Sequence, residues 1–131
     1  MVTAANWSHE TVFPAEPTSV GLARDFVCRH LATHNLLHLM EDVCLVASEL
    51  ATNAVTHART PFSVSLSRAN ASVLLVVRDE SRAAPVRTVP DVMDASGRGL
   101  VLVELLSQEW GTSTDRHGSK SVWASFPSRP R

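Results

Sequence analysis

The sequence predicts an α/β fold, a two-layer sandwich in which one largely antiparallel sheet packs on helices. Three observations carry this. Residues 39–58 hold one apolar stripe at helical spacing. Phe62, Val64 and Leu66 alternate with Ser63, Ser65 and Ser67, the period of a strand with one dry face and one wet face. Turn residues at Asn70 and at His117–Gly118 each sit between two strand-like runs, as in hairpins.

In chain order, residues 1–16 contain an alternating stretch from Trp7 to Phe13 that ends at Pro14 and reads as an edge strand. A helix is expected to begin near Thr18 or Ser19, either of which can cap free N–H groups. Its apolar positions Val20, Ala23, Val27 and Leu31 keep helical spacing, and the pattern fades near Asn35. The second helix runs from Leu39 to Ala58 on Leu39, Val43, Val46, Ala47, Leu50, Ala54 and Val55, and stops before Thr60–Pro61. Strands follow over Phe62–Arg68 and Val73–Asp79, the latter almost continuously apolar. Residues 80–96 carry Ala83, Ala84, Pro85 and Pro90 without a period, a long loop for so small a domain, and such loops are functional or disordered. Gly97–Glu109 reads as a helix opening on glycines, and Trp110–Asp115 with Ser119–Phe126 as a final hairpin. The polar tail from Pro127 is expected to fray.

The 131 residues and an apolar fraction of 44% suit one domain over 1–131, with its core at about 16–127. A net charge of −1 supplies no basic field for nucleic acid or an anionic membrane. No run is long and apolar enough to span a bilayer, so a cytoplasmic protein is expected. Cys28 and Cys44 lie in apolar helical patterns and are expected to be reduced, buried thiols.

Few residues are candidates for chemistry. Glu49 and Asn53 lie four apart on the second helix and so project from one face, with His57 continuing the row. A carboxylate and an amide there suit a general base and an oxygen ligand for a hard cation, or else a hydrogen-bonded structural pair. Asp79 shares the face of Val73, Leu75 and Val77, and a charge among apolar side chains needs a partner. An adenine amino group, a helix N-terminus or an arginine would each serve. Gly97-Arg98-Gly99-Leu100 opens a helix, where glycines let backbone N–H groups approach a phosphate and Arg98 can add a contact; the same glycines can simply make the turn. His30, His34 and His38 repeat at four, but Asn35 and Leu36–Leu37 interrupt the helix and no cysteine or carboxylate completes a set, so a metal site is not expected.

Taken together, Glu49-Leu-Ala-Thr-Asn53-Ala-Val-Thr-His57-Ala58, Val77-Arg-Asp79, Gly97-Arg-Gly99-Leu100, Trp110-Gly111 and Lys120-Ser-Val-Trp123 resemble the ATP-binding domain shared by histidine kinases, gyrase and Hsp90. The likeness is strongest to its anti-sigma-factor serine kinase branch, the sporulation and stress-response switch proteins of actinobacterial type, and covers residues 16–127. The resemblance implies a histidine-kinase-like ATPase fold and two cofactors, ATP and Mg²⁺. It implies that Asn53 holds the metal, Glu49 is the catalytic base, and Asp79 binds the adenine amino group. Gly97, Arg98, Gly99 and Leu100 would cradle phosphate, His57 would stand near it, and residues 80–96 would form a lid. The implied partners are a small anti-anti-sigma protein phosphorylated on serine, a sigma factor, and a second copy of the chain as a homodimer.

Two departures bear on this. Where the family shows D-x-G-x-G, the run here is Asp79-Glu80-Ser81-Arg82-Ala83, without either glycine. A hydroxyl on the last strand that would help seat adenine falls on Ser121, but alternation with Val122, Ala124 and Phe126 turns it to the other face. The chain also has no phosphoacceptor histidine helix, so a sensor histidine kinase is not expected. Two functions stay open: an ATP-dependent serine/threonine kinase and anti-sigma factor, favoured by Glu49 and Asn53, and a non-catalytic adaptor that sequesters a protein partner, favoured by the missing glycines. On either reading Leu74, Val76 and Trp123 fall on the sheet face away from the helices, a face expected to be covered by the N-terminal strand or by a second copy.

Overall fold

The computed structural model describes residues 6–80 and 95–129, with only the backbone described for residues 95–99. The strand periods read from the sequence become β1 (Trp7–Phe13), β2 (Phe62–Ala69), β3 (Ser72–Asp79), β4 (Glu109–Thr114) and β5 (Lys120–Pro127). They form one antiparallel sheet in the order β1-β2-β3-β5-β4. The helices are α1 (Thr18–Thr33), α2 (Met40–Asn53) and α3 (Ala95–Leu106), so the α/β sandwich expected from the sequence is the fold observed.

Register explains the core. Val64 stands across from Val77 and Leu66 across from Leu75, while Val73 faces Phe126 and Leu75 faces Ala124 on the other side of β3. Residues directly opposite share a face, so these side chains form one apolar layer, and all of them are buried. Val27 and Leu31 of α1, Val43, Val46 and Leu50 of α2, and Val103 of α3 close over it. The other face carries Leu74, Val76 and Trp123, with Val76 directly across from Trp123. These three are half-buried. The N-terminal strand does not cover that face: β1 pairs edge-on with β2, which corrects one of the two expectations for it.

Several local expectations change. Neither Thr18 nor Ser19 caps α1; Pro17 occupies the cap position without a side-chain bond. Ser19 is fully buried instead, and its hydroxyl donates to the carbonyl of Pro14 at 2.7 Å. The expected Leu39–Ala58 helix is three pieces: a 3-10 turn over Leu37–Leu39, α2, and a π-helical turn over Ala54–Ala58. Arg59 ends it with φ 59°, a left-handed conformation usually left to glycine or asparagine. The tail is anchored one residue past β5, where the buried Ser128 donates its N–H to Ala71 and accepts from Arg68. Cys28 and Cys44 are joined in a disulfide that ties α1 to α2, contrary to the reduced thiols expected. Two helical patterns sixteen residues apart carry no information about which sides meet, and the α1–α2 packing supplied it. Among the described residues no helix is long and apolar enough to cross a membrane.

Candidate functional site

The second helix positions the central pair. Val43, Val46, Ala47, Leu50 and Ala51 are buried and fix the orientation of α2 on the sheet. Glu49 and Asn53 then fall at the margin of that stripe, both half-buried, one turn apart on one face. Neighbouring polar groups are engaged locally: the Ser48 hydroxyl donates to the Cys44 carbonyl at 3.0 Å, and that of Thr52 to the Ser48 carbonyl at 2.8 Å. Glu49 and Asn53 differ, since neither side chain forms a hydrogen bond with any described residue. The alternative of a structural pair bonded to each other is therefore not what forms.

After Asn53 the backbone widens. The N–H of Arg59 donates to the carbonyl of Ala54 at 3.3 Å, a five-residue step, and π turns of this kind concentrate at functional sites. His57 lies inside this turn and is exposed, so it departs from the strict four-residue row read from the sequence. The sequence held no signal for the widening, because the apolar stripe is compatible with either step.

Asp79 ends β3, on the helix-covered face with Val73, Leu75 and Val77, as alternation requires. It stands across from Phe62 on one side and Lys120, the chain's only lysine, on the other. Both α2 and the π turn pack on β3, and α2 also packs on α3. Helix α2 is thus the element that packs on both β3 and α3. Helix α3 opens at Ala95, so Gly97, Arg98 and Gly99 lie within its first turns instead of leading into it. Leu100 follows, half-buried. The expected lid, residues 80–96, falls almost wholly outside the described residues; of its described part, Glu80 donates its N–H to the Thr60 hydroxyl at 3.2 Å.

Ser121 stands across from Arg78 and shares the outward face, away from Asp79. On that face Arg78 pairs with Asp115 at 2.8 Å, and Asp115 also accepts the N–H groups of His117 and Ser119. Desolvation pushes the Asp115 carboxyl up, but those two N–H bonds, then Arg78 and His117, carry it below its ordinary value. These contacts organise the β4–β5 hairpin and stand apart from the Glu49–Asn53 face.

The chain is an α/β sandwich whose antiparallel sheet is covered on one face by helices, with a carboxylate and an amide at the margin of α2. The chain belongs to the histidine kinase-like ATPase domain family, whose model matches residues 13–126. It is thereby an ATP-binding, kinase-like domain. No individual curated protein matches the chain.

Proposed function

We propose that this chain is an ATP-dependent protein serine/threonine kinase and anti-sigma factor of a partner-switching system, acting on a small anti-anti-sigma protein. The observation that carries this reading is the Glu49–Asn53 pair, two polar groups at the edge of the core that no described residue engages. Phosphoryl transfer asks for positioning, charge neutralisation and a base, and little covalent chemistry from the protein.

In this mechanism the Glu49 carboxylate accepts the proton of a serine hydroxyl on the partner. The serine oxygen bonds to the γ-phosphorus as the bond from that phosphorus to the bridging oxygen breaks, and ADP leaves. Without the partner, Glu49 would orient water. Asp79 accepts a hydrogen bond from the adenine amino group. We assign the phosphate to the N-terminal turns of α3, which carry Gly97, Arg98, Gly99 and Leu100, because the helix dipole and the unpaired N–H groups of a helix start favour an anion there. Arg98 and His57 stand to add contacts. The donors fit Mg²⁺, since the Asn53 amide oxygen beside phosphate oxygens is an all-oxygen set for a hard cation. When bound, that ion neutralises phosphate charge. We place the protein in the cytoplasm as a homodimer joined through the Leu74, Val76 and Trp123 face, with a sigma factor as its second partner. Sedimentation of Trp123→Arg should then report a monomer.

A second reading, an adaptor that sequesters a partner without catalysis, is favoured by the run Glu80-Ser81-Arg82-Ala83 in place of glycines. The test is incubation with radiolabelled ATP and small candidate partners, with and without Mg²⁺, alongside calorimetric titration of ATP. Magnesium-dependent label on a partner serine supports the kinase. Partner binding without any label, together with no ATP binding at millimolar concentration, supports the adaptor.

A further inference from the structure

The inward residues of β1 are Trp7, His9, Thr11 and Phe13, because His9 stands across from the buried Leu66 and Thr11 across from the buried Val64. That register aims His9 at α1, where His30 and His34 lie one helical turn apart on one face. The three rings meet. His9 stacks on His30 with centroids 3.8 Å apart, and the Nε2 atoms of His9 and His34 approach to 2.9 Å. One donor nitrogen from each ring lies within 4.8 Å of the other two. His38, which completes the four-residue repeat in the sequence, is exposed on the 3-10 turn and takes no part.

We propose that His9, His30 and His34 form a site for a first-row divalent transition-metal ion of zinc type, with three imidazole ligands and one position open to water. Imidazole nitrogens suit zinc, copper and nickel and not magnesium, so this site is distinct in chemistry from the oxygen donors at Asn53. Zinc–nitrogen bonds of 2.0–2.1 Å in a tetrahedron put ligand nitrogens about 3.3 Å apart. The His9 and His34 nitrogens, 2.9 Å apart, are already near that value, and the His30 nitrogen lies within 4.8 Å of both, so binding requires the His9–His30 stack to turn. The surroundings hold the rings in place: Trp7 stacks on His34 at 3.9 Å and nearly parallel, and Phe26 meets His30 edge-on at 4.7 Å. His30 is held below its ordinary pKa by burial first, then by His9, Arg29 and His34; His34 is lowered by burial, then by His9 and Arg68. A lowered pKa favours the neutral imidazole, the form that ligates. An ion here would take the place of the His9–His34 hydrogen bond and fasten the edge strand β1 to the end of α1.

The experiment uses the untagged chain with its disulfide intact, stripped with chelator and titrated with Co²⁺ as a spectroscopic stand-in and with Zn²⁺ in competition. The expected result is one equivalent of Co²⁺ bound, with visible d–d absorption that Zn²⁺ abolishes and no sulfur charge-transfer band. His9→Ala and His34→Ala should each weaken binding by at least about 100-fold, since losing even an outer-shell partner of a metal ligand costs 10–100-fold. His38→Ala and His117→Ala should leave it unchanged. Should an alanine variant fail to fold, His9→Gln and His34→Gln keep size and polarity and are read the same way. A wild-type chain that shows no d–d band, or one whose binding survives both substitutions, overturns the site and leaves the cluster as ring packing.

Discussion

Asp79 stands directly across from Phe62 in the β2–β3 ladder, and both belong to the face that the helices cover. Phe62 is 1% exposed, whereas Asp79, at the end of the same apolar row, keeps part of its surface open. The donor proposed for this carboxylate is the adenine amino group. Asp79→Ala is expected to lower ATP affinity about 10–100-fold, the weight of a hydrogen bond to a charged group. Inosine triphosphate, which lacks the amino donor, should bind the wild type more weakly than ATP and the variant about equally. Calorimetry on both nucleotides checks this, and an unchanged preference in the variant removes Asp79 from the adenine contact.

Asn53 is the expected metal-side ligand. Asn53→Ala should weaken ATP binding in the presence of Mg²⁺ and have little effect in its absence, with the circular dichroism spectrum unchanged. Because the amide bonds no described residue, the fold should not miss it. Equal loss with and without the ion would assign Asn53 a role in the fold instead.

Glu49→Gln keeps size and polarity and cannot accept a proton at neutral pH. ATP should still bind, while transfer to the partner serine falls by roughly 10²–10⁴, the usual contribution of a general base. Single-turnover labelling measures it, and equal rates in the two proteins would sink the assignment.

A structural prediction concerns Gly111, which pairs with Trp123 across β4 and β5. A Cβ at Gly111 would lie 2.8 Å from Cζ2 and 2.9 Å from Cε2 of the Trp123 ring, closer than such contacts allow. Gly111→Ala therefore forces the ring or the strand to move, at about 1–3 kcal/mol, the usual cost of overpacking. Urea unfolding should report the loss and tryptophan fluorescence the ring movement. If neither changes, Trp123 does not lie over Gly111 in solution.

The sequence by itself determined the elements with a strong period: the stripe of α2, the alternation of β2 and the apolar run of β3. These patterns are local, because a strand or helix facing a core must repeat its apolar residues at its own period. The face of Asp79 and the outward turn of Ser121 followed from that same alternation. The Glu49–Asn53 pair was legible because four residues make one helical turn.

Only the tertiary structure decided what depends on residues distant in sequence. The pairing of β1 with β2 joins residues as far apart as Trp7 and Arg68, and no local pattern selects an edge over a face as its resting place. The disulfide between Cys28 and Cys44 depends on which sides of α1 and α2 meet. The π turn after Asn53 is a change of step to which the apolar stripe is blind. The histidine cluster shows the division most clearly: His30 and His34 were visible as a pair at helical spacing, but His9 joins them only because the β1 register turns it inward, 25 residues away from His34. Periodicity fixes which side of an element faces the core, and the packing of whole elements fixes which side chains meet there.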